Sequence, residues 1–136
     1  MLRGKIMRLT KEQATENRQS IIETAGRLFR ESGFNGVSVA DLMKAAGFTH
    51  GGFYNHFPSK EALAAEAALA GLQRSNTTLT EALMDQAGSN HSALWPYIEA
   101  YLSSAHRDNR ADGCTIASLA SDAARQDEQV QASFAK

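Results

Sequence analysis

Apolar residues between Lys11 and Ser32 recur as Ile21, Ile22, Ala25, Leu28 and Phe29, the i, i+4, i+7, i+8 spacing of one buried face on an α-helix. Thr10 with Gln13 has the makeup of a capping box at its start, and Gly33 stops it. The turns before Ser20 carry almost no apolar residue and are expected to fray. Phe34-Asn35-Gly36 reads as a tight loop, with Phe34 and Val37 closing over a small core. A second helical period follows in Val39, Leu42, Met43 and Ala46, capped by Ser38 with Asp41 in the reciprocal position. Gly47 supplies the left-handed backbone that ends this helix, and Thr49 is expected to cap a short one after it. Two helices joined across a glycine turn of this length describe a helix-turn-helix.

Beyond Pro58 the pattern stays helical. A long helix opens at Ser59 and runs through Leu63, Ala67, Leu69 and Ala70, with Gly71 as a point where it can break, then past Leu72, Leu79 and Leu83 to Gly88. Asn90, His91 and Ser92 form a polar loop, and Ser92 caps a helix holding Leu94, Trp95, Ile98, Tyr101, Leu102 and Ala105, with Pro96 tolerated in its first turn. Arg107 to Gly113 reads as a charged loop. Thr115 opens a helix with Ile116, Leu119, Ala120 and Ala123, and Asp127 opens a last one with Val130 and Phe134. The expected fold class is all-α, divided into a basic arm (1–10), a three-helix head (11–58) and a second helical domain (59–136).

Composition narrows the class of function. With 136 residues and 43% apolar content the chain has room for one compact domain, or a small domain and part of a second. It has no run of about 18 apolar residues to span a bilayer, and its first ten residues lack the apolar core of a signal peptide. Cys114 is the only cysteine, so no intrachain disulfide forms, which fits a reducing cytoplasm. The net charge of −1 conceals a division. Residues 1–60 carry nine basic and five acidic side chains, net +4, and the remainder carries five and ten, net −5. Positive charge travels with the helix-turn-helix, as expected where one half faces a polyanion.

Candidate chemistry gathers before Pro58. His50, Gly51 and Gly52 occupy the N-terminal end of the second motif helix, the end that meets base edges in this class of motif. Two glycines there cost about 1 kcal/mol each against alanine, which either reflects a short frayed helix or lets the backbone press into a groove. Tyr54 and His56 carry polar groups, while Phe53 and Phe57 are expected to pack inward. Lys60 sits beside a helix N-terminus that already favours an anion such as phosphate. Lys44 is either a phosphate contact or a solvated charge, and Thr49 is placed both to cap and to touch phosphate. In the arm, Arg3, Lys5 and Arg8 suit a phosphate backbone or minor groove, or simply a solvated tail. His50, His56, His91, His106 and Cys114 make no recognised ligand spacing, and no phosphate-binding loop or nucleophile motif occurs. No catalytic residue, metal or cofactor is therefore expected. Cys114 reads either as a thiol sensor or as a small buried residue.

The run from Ile21-Ile22 through Ser32-Gly33-Phe34, Gly36-Val37-Ser38-Val39, Ala45-Ala46-Gly47-Phe48-Thr49 and Gly52-Phe53-Tyr54 to His56-Phe57-Pro58-Ser59-Lys60-Glu61-Ala62-Leu63 resembles the DNA-binding domain of TetR-type transcriptional repressors. The resemblance implies an all-helical homodimer whose head reads double-stranded DNA and whose second domain binds a small-molecule effector and dimerises. It implies DNA contacts at Lys44, Thr49, His50, Gly51, Gly52, Tyr54, Asn55, His56 and Lys60, with Tyr54 and His56 on phosphates. Trp95, Tyr101 and Phe134 are candidate effector contacts, or ordinary core aromatics. The pattern departs at Ala40, where many relatives have a longer polar side chain, and at His50, where lysine or glutamine is frequent. The operator sequence therefore does not carry over. Because the last helix has no cap before Lys136, the second domain is expected to be incomplete, or buried against another subunit. The expected mechanism is a dimeric, ligand-released repressor on a palindromic operator. The alternatives are a truncated or heterodimerising DNA-binding protein, and more remotely a metal-binding or enzymatic helical protein.

Overall fold

The first helix, α1 (Lys11–Ser32), starts where the Gln13 N–H donates to the Thr10 hydroxyl at 3.1 Å and ends at Gly33, whose φ of 78° requires glycine. In this computed structural model, which describes residues 10–84 and 94–136, α2 (Val39–Ala46), α3 (Lys60–Met84), α4 (Leu94–Tyr101), α5 (Ser104–Asp108), α6 (Thr115–Ala123) and α7 (Glu128–Phe134) follow, with 3₁₀ turns at 34–36, 50–55 and 110–112. No strand occurs among the described residues, so the fold is all-α. The arm at residues 1–9 and the expected loop and caps at Gly88, Asn90, His91 and Ser92 lie outside the described residues.

The apolar stripe of α1 is buried as its spacing requires. Ile21, Ile22, Ala25 and Phe29 join Phe34, Val37, Leu42, Met43, Phe53, Phe57 and Leu63 in one cluster. The cluster continues without a gap into Ala67 and Ala68 of α3, Leu119 and Ala123 of α6 and Val130 of α7. α3 packs against both α1 and α7, so the head and the following helices share one core across residues 58 and 59. Within the first turns of α1, which were expected to fray, Arg18 is tied to the rest of the fold. Arg18 pairs with Glu66 through both carboxylate oxygens, at 2.5 and 2.7 Å, and its guanidinium lies 4.5 Å from the centre of the Phe57 ring.

Three sequence expectations are corrected. α3 passes through Gly71 without a break. The glycine serves close packing there, because an added Cβ would overlap the Thr115 hydroxyl and lie 3.1 Å from Arg30 Nη1. The helix expected from Leu94 to Ala105 divides instead at Ser103, whose hydroxyl accepts from the His106 N–H at 3.1 Å and starts α5 afresh. The segment 107–113 is correspondingly more regular than a loop, since α5 reaches Asp108 and a 3₁₀ turn covers 110–112.

Candidate nucleic-acid interface

Local chemistry builds the interface from the cap of α2 onward. The Asp41 N–H donates to the Ser38 hydroxyl at 3.1 Å, while the Ser38 N–H and hydroxyl donate to the Asp41 carboxylate at 3.2 and 2.6 Å. These donors hold the Asp41 carboxyl below its ordinary value, the Ser38 hydroxyl contributing most. At the other end Gly47 adopts φ 84°, and the Phe48 N–H reaches back to the Met43 carbonyl at 2.8 Å.

The second motif helix is a six-residue 3₁₀ helix, His50–Asn55, tighter than the α-helix of the usual motif. The Gly52 N–H closes on the Thr49 carbonyl and the His56 N–H on the Phe53 carbonyl, at 3.1 and 2.9 Å. Two glycines at its start and Pro58 just past its end leave too little helix-favouring sequence to propagate i→i+4 bonding. Thr49 has the extended backbone of a cap, but its side chain makes no capping bond; that part of the expectation is corrected.

This turn stands on two fully buried rings. Phe53 and Phe57 lie 5.7 Å apart in the core and fix the turn from below. Tyr54 packs edge-on against Phe53 at 5.1 Å, yet is 69% exposed. His50, Gly51 and Asn55 are exposed, and Gly52 and His56 are half-buried. Lys44 is exposed in the last turn of α2, and Lys60 begins α3 beside Ser59, whose hydroxyl accepts from the Ala62 N–H at 3.1 Å. An added Cβ on Gly51 would meet nothing within 4 Å, whereas one on Gly52 would touch Thr49 Oγ1 at 3.6 Å. Gly51 therefore faces open space.

Arg18 was not singled out by sequence reasoning. Its Nε donates to the His56 carbonyl at 3.3 Å while its other nitrogens hold Glu66 on α3. One side chain thus ties the end of the turn to both long helices. An arginine in the polar part of α1 gives no signal of this, because its partners lie 38 and 48 residues away.

The three candidate effector residues are not equivalent. Tyr101 lines an apolar groove of about 480 Å³ with Leu72, Leu79, Ile98, Leu102 and Ile116, beside Cys114. Phe134 packs instead against the main core, and Trp95, 60% exposed, is not among the residues lining that groove. Leu72 and Leu79 were legible as apolar helical positions; their meeting with α4 and α6 was not. Among the described residues, no helix is long and apolar enough to cross a membrane.

Comparison with known proteins bears on this geometry. Residues 21–67 match the model of bacterial regulatory proteins of the tetR family. The chain is 44% identical over 59 residues to the HTH-type transcriptional regulator AcrR of Shigella flexneri, covering 43% of this chain and 27% of that protein. It is 39% identical over 77 residues to the HTH-type transcriptional regulator TtgR of Pseudomonas putida, covering 57% and 36%. The match therefore spans well under half the length of either relative. The crystal structure of a TetR-family transcriptional regulator from Agrobacterium tumefaciens superposes with a TM-score of 0.74 at 25% identity, covering 90% of this chain and 65% of that one. A shared head sequence, an exposed turn braced on buried rings and a shared helical fold lead to one assignment: residues 21–67 form a head of the tetR-family type, and the comparisons together support a TetR-type transcriptional regulator.

Proposed function

We propose that the protein is a ligand-released repressor that binds a palindromic operator as a homodimer. The observation that carries this reading is the 50–55 turn, which holds its polar groups outward while its two aromatic anchors are wholly buried. His50, Gly51, Gly52 and Asn55 enter the major groove. Thr49, Tyr54, His56, Lys44 and Lys60 hold the flanking phosphates, which position the head without specifying sequence. A dimer places two such turns about 34–36 Å apart, one helical turn of DNA.

An apolar effector occupies the groove at Tyr101 and acts through α3, which runs unbroken from Lys60 at the head to the groove residues Leu72 and Leu79. Release then requires the effector to bind the DNA-incompetent arrangement of the two heads more tightly than the competent one. Its chemistry follows from the lining: aliphatic and aromatic side chains with Ser75 and Asn76 as polar partners suit an uncharged aromatic or alicyclic compound.

The test is a salt-dependent binding titration against the DNA flanking the protein's own gene, beside a scrambled duplex of equal length. Tight binding to the native duplex, with weaker binding to the scrambled one that is lost as salt rises, supports the reading. Equal affinity for both rejects sequence-specific repression.

A further inference from the structure

A second cavity, of about 340 Å³, opens where α1, α3 and the 110–112 turn meet. Three arginines line it: Arg27 and Arg30 from α1 and Arg74 from α3. Arg30 is unusual among them, at 5% exposure. Its Nε donates to the Ala111 carbonyl at 2.6 Å, and among the described residues no carboxylate pairs with its guanidinium. A buried cation without a partner is costly.

The two acidic residues on the cavity wall are already engaged. Asp112 is paired with Arg27 and accepts from the Asn109 amide at 3.2 Å, and Glu23 accepts from the Gln19 amide at 3.0 Å. Burial, and next the charge of Arg74, push Arg30 down to about 10, with Asp112 opposing the shift only in part. The backbone is shaped around this guanidinium. Gly26 on α1 and Gly71 on α3 both face it, and a Cβ on either would lie 3.1 Å from Nη1. Side-chain-free walls on two helices leave its outer nitrogens room beside an open cavity.

We propose that this cavity binds a small oxyanion, a carboxylate or phosphate group, between Arg30 of α1 and Arg74 of α3. Guanidinium groups present paired N–H donors that match the spacing of two oxyanion oxygens. Ile22, Ala67 and Ala70 on the same wall accommodate the carbon body of an organic anion. The site differs in chemistry and position from the apolar groove at Tyr101, and it does not rest on the operator-binding reading.

The experiment is thermal denaturation of the full chain in rising sodium phosphate, and separately sodium benzoate, with chloride holding ionic strength constant. At least one anion raises the Tm along a saturable curve. In Arg74→Gln the half-saturating concentration rises about tenfold or more, the loss expected for one charge-assisted contact. Without anion, Arg74→Gln melts at the same or a higher temperature than the native chain, because a charge repelling Arg30 is gone. Arg125→Gln, on an exposed arginine elsewhere, keeps the native response. A Tm that rises without saturation for both anions, does not rise at all, or rises equally in Arg74→Gln overturns the site. Which of the two anions saturates tells phosphate from carboxylate.

Discussion

Gly51 is the residue at which the operator-binding reading is most exposed to test. Its missing side chain faces empty space, so in the free protein leucine there has room. Against DNA the same side chain would fill the gap between backbone and groove. Gly51→Leu is expected to leave the melting temperature within about 2 °C while reducing operator affinity by at least about a hundredfold, or about 2.7 kcal/mol. A variant that fails to fold would show that the glycine serves the turn rather than the contact. A second residue-scale expectation concerns pH. The folded state holds the Asp41 carboxyl below its ordinary value, so the cap contributes stability above about pH 4 and loses it as pH falls through the folded value. Ser38→Ala should cost about 1 kcal/mol at pH 7. That penalty should shrink in denaturant melts run progressively below pH 4; a pH-independent penalty would remove the carboxylate from the account.

The elements show where local rules yielded to packing. Gly71 has the lowest helix propensity short of proline and lies inside a 25-residue helix, so alanine there gains about 1 kcal/mol on propensity alone. The structure predicts the opposite sign, because the new methyl collides with Thr115 and crowds Arg30. Gly71→Ala should destabilise by about 1–3 kcal/mol in urea unfolding; stabilisation would mean that α6 does not approach α3 as described. The division of α4 from α5 follows the same logic in reverse. Apolar spacing from Leu94 through Ala105 favoured one helix, but the Ser103 hydroxyl accepts from the His106 N–H and caps a separate helix there. The 50–55 turn lies between these cases: its boundaries were legible from glycine and proline, its 3₁₀ winding was not.

For the whole molecule, the charge division noted from composition becomes a binding expectation. Lys44 and Lys60 lie at the edges of the turn, and each proposed phosphate contact releases a counterion. Lys60→Gln in a dimer should weaken binding to native and scrambled duplexes alike and flatten the slope of log K against log salt by about 1.8, two contacts at about 0.9 each. A loss confined to the native duplex would instead assign Lys60 to sequence reading. The shared core gives this interface its mechanical setting. α3 contributes Leu63, Ala64, Ala67 and Ala68 to one cluster with the α1 stripe, and Arg18 ties the end of the 50–55 turn to α3. The proposed displacement of α3 would therefore reach the turn through close packing and not through a flexible linker.

Much of the head is legible in the amino-acid sequence alone. The Ser38–Asp41 box and the glycine stop at Gly47 depend on contacts a few residues apart, and the apolar spacing of the α1 stripe and of Phe53 and Phe57 marks which face turns inward whatever it packs against; residue order records both directly. Tertiary structure alone decided the rest: the unbroken α3, the brace from Arg18 to Glu66, the groove at Tyr101 and the burial of Arg30. Each depends on which side chains from distant segments approach within a few ångströms. An arginine on a helix carries the same local preference whether it ends in solvent or against another helix, so its environment had to come from the packing.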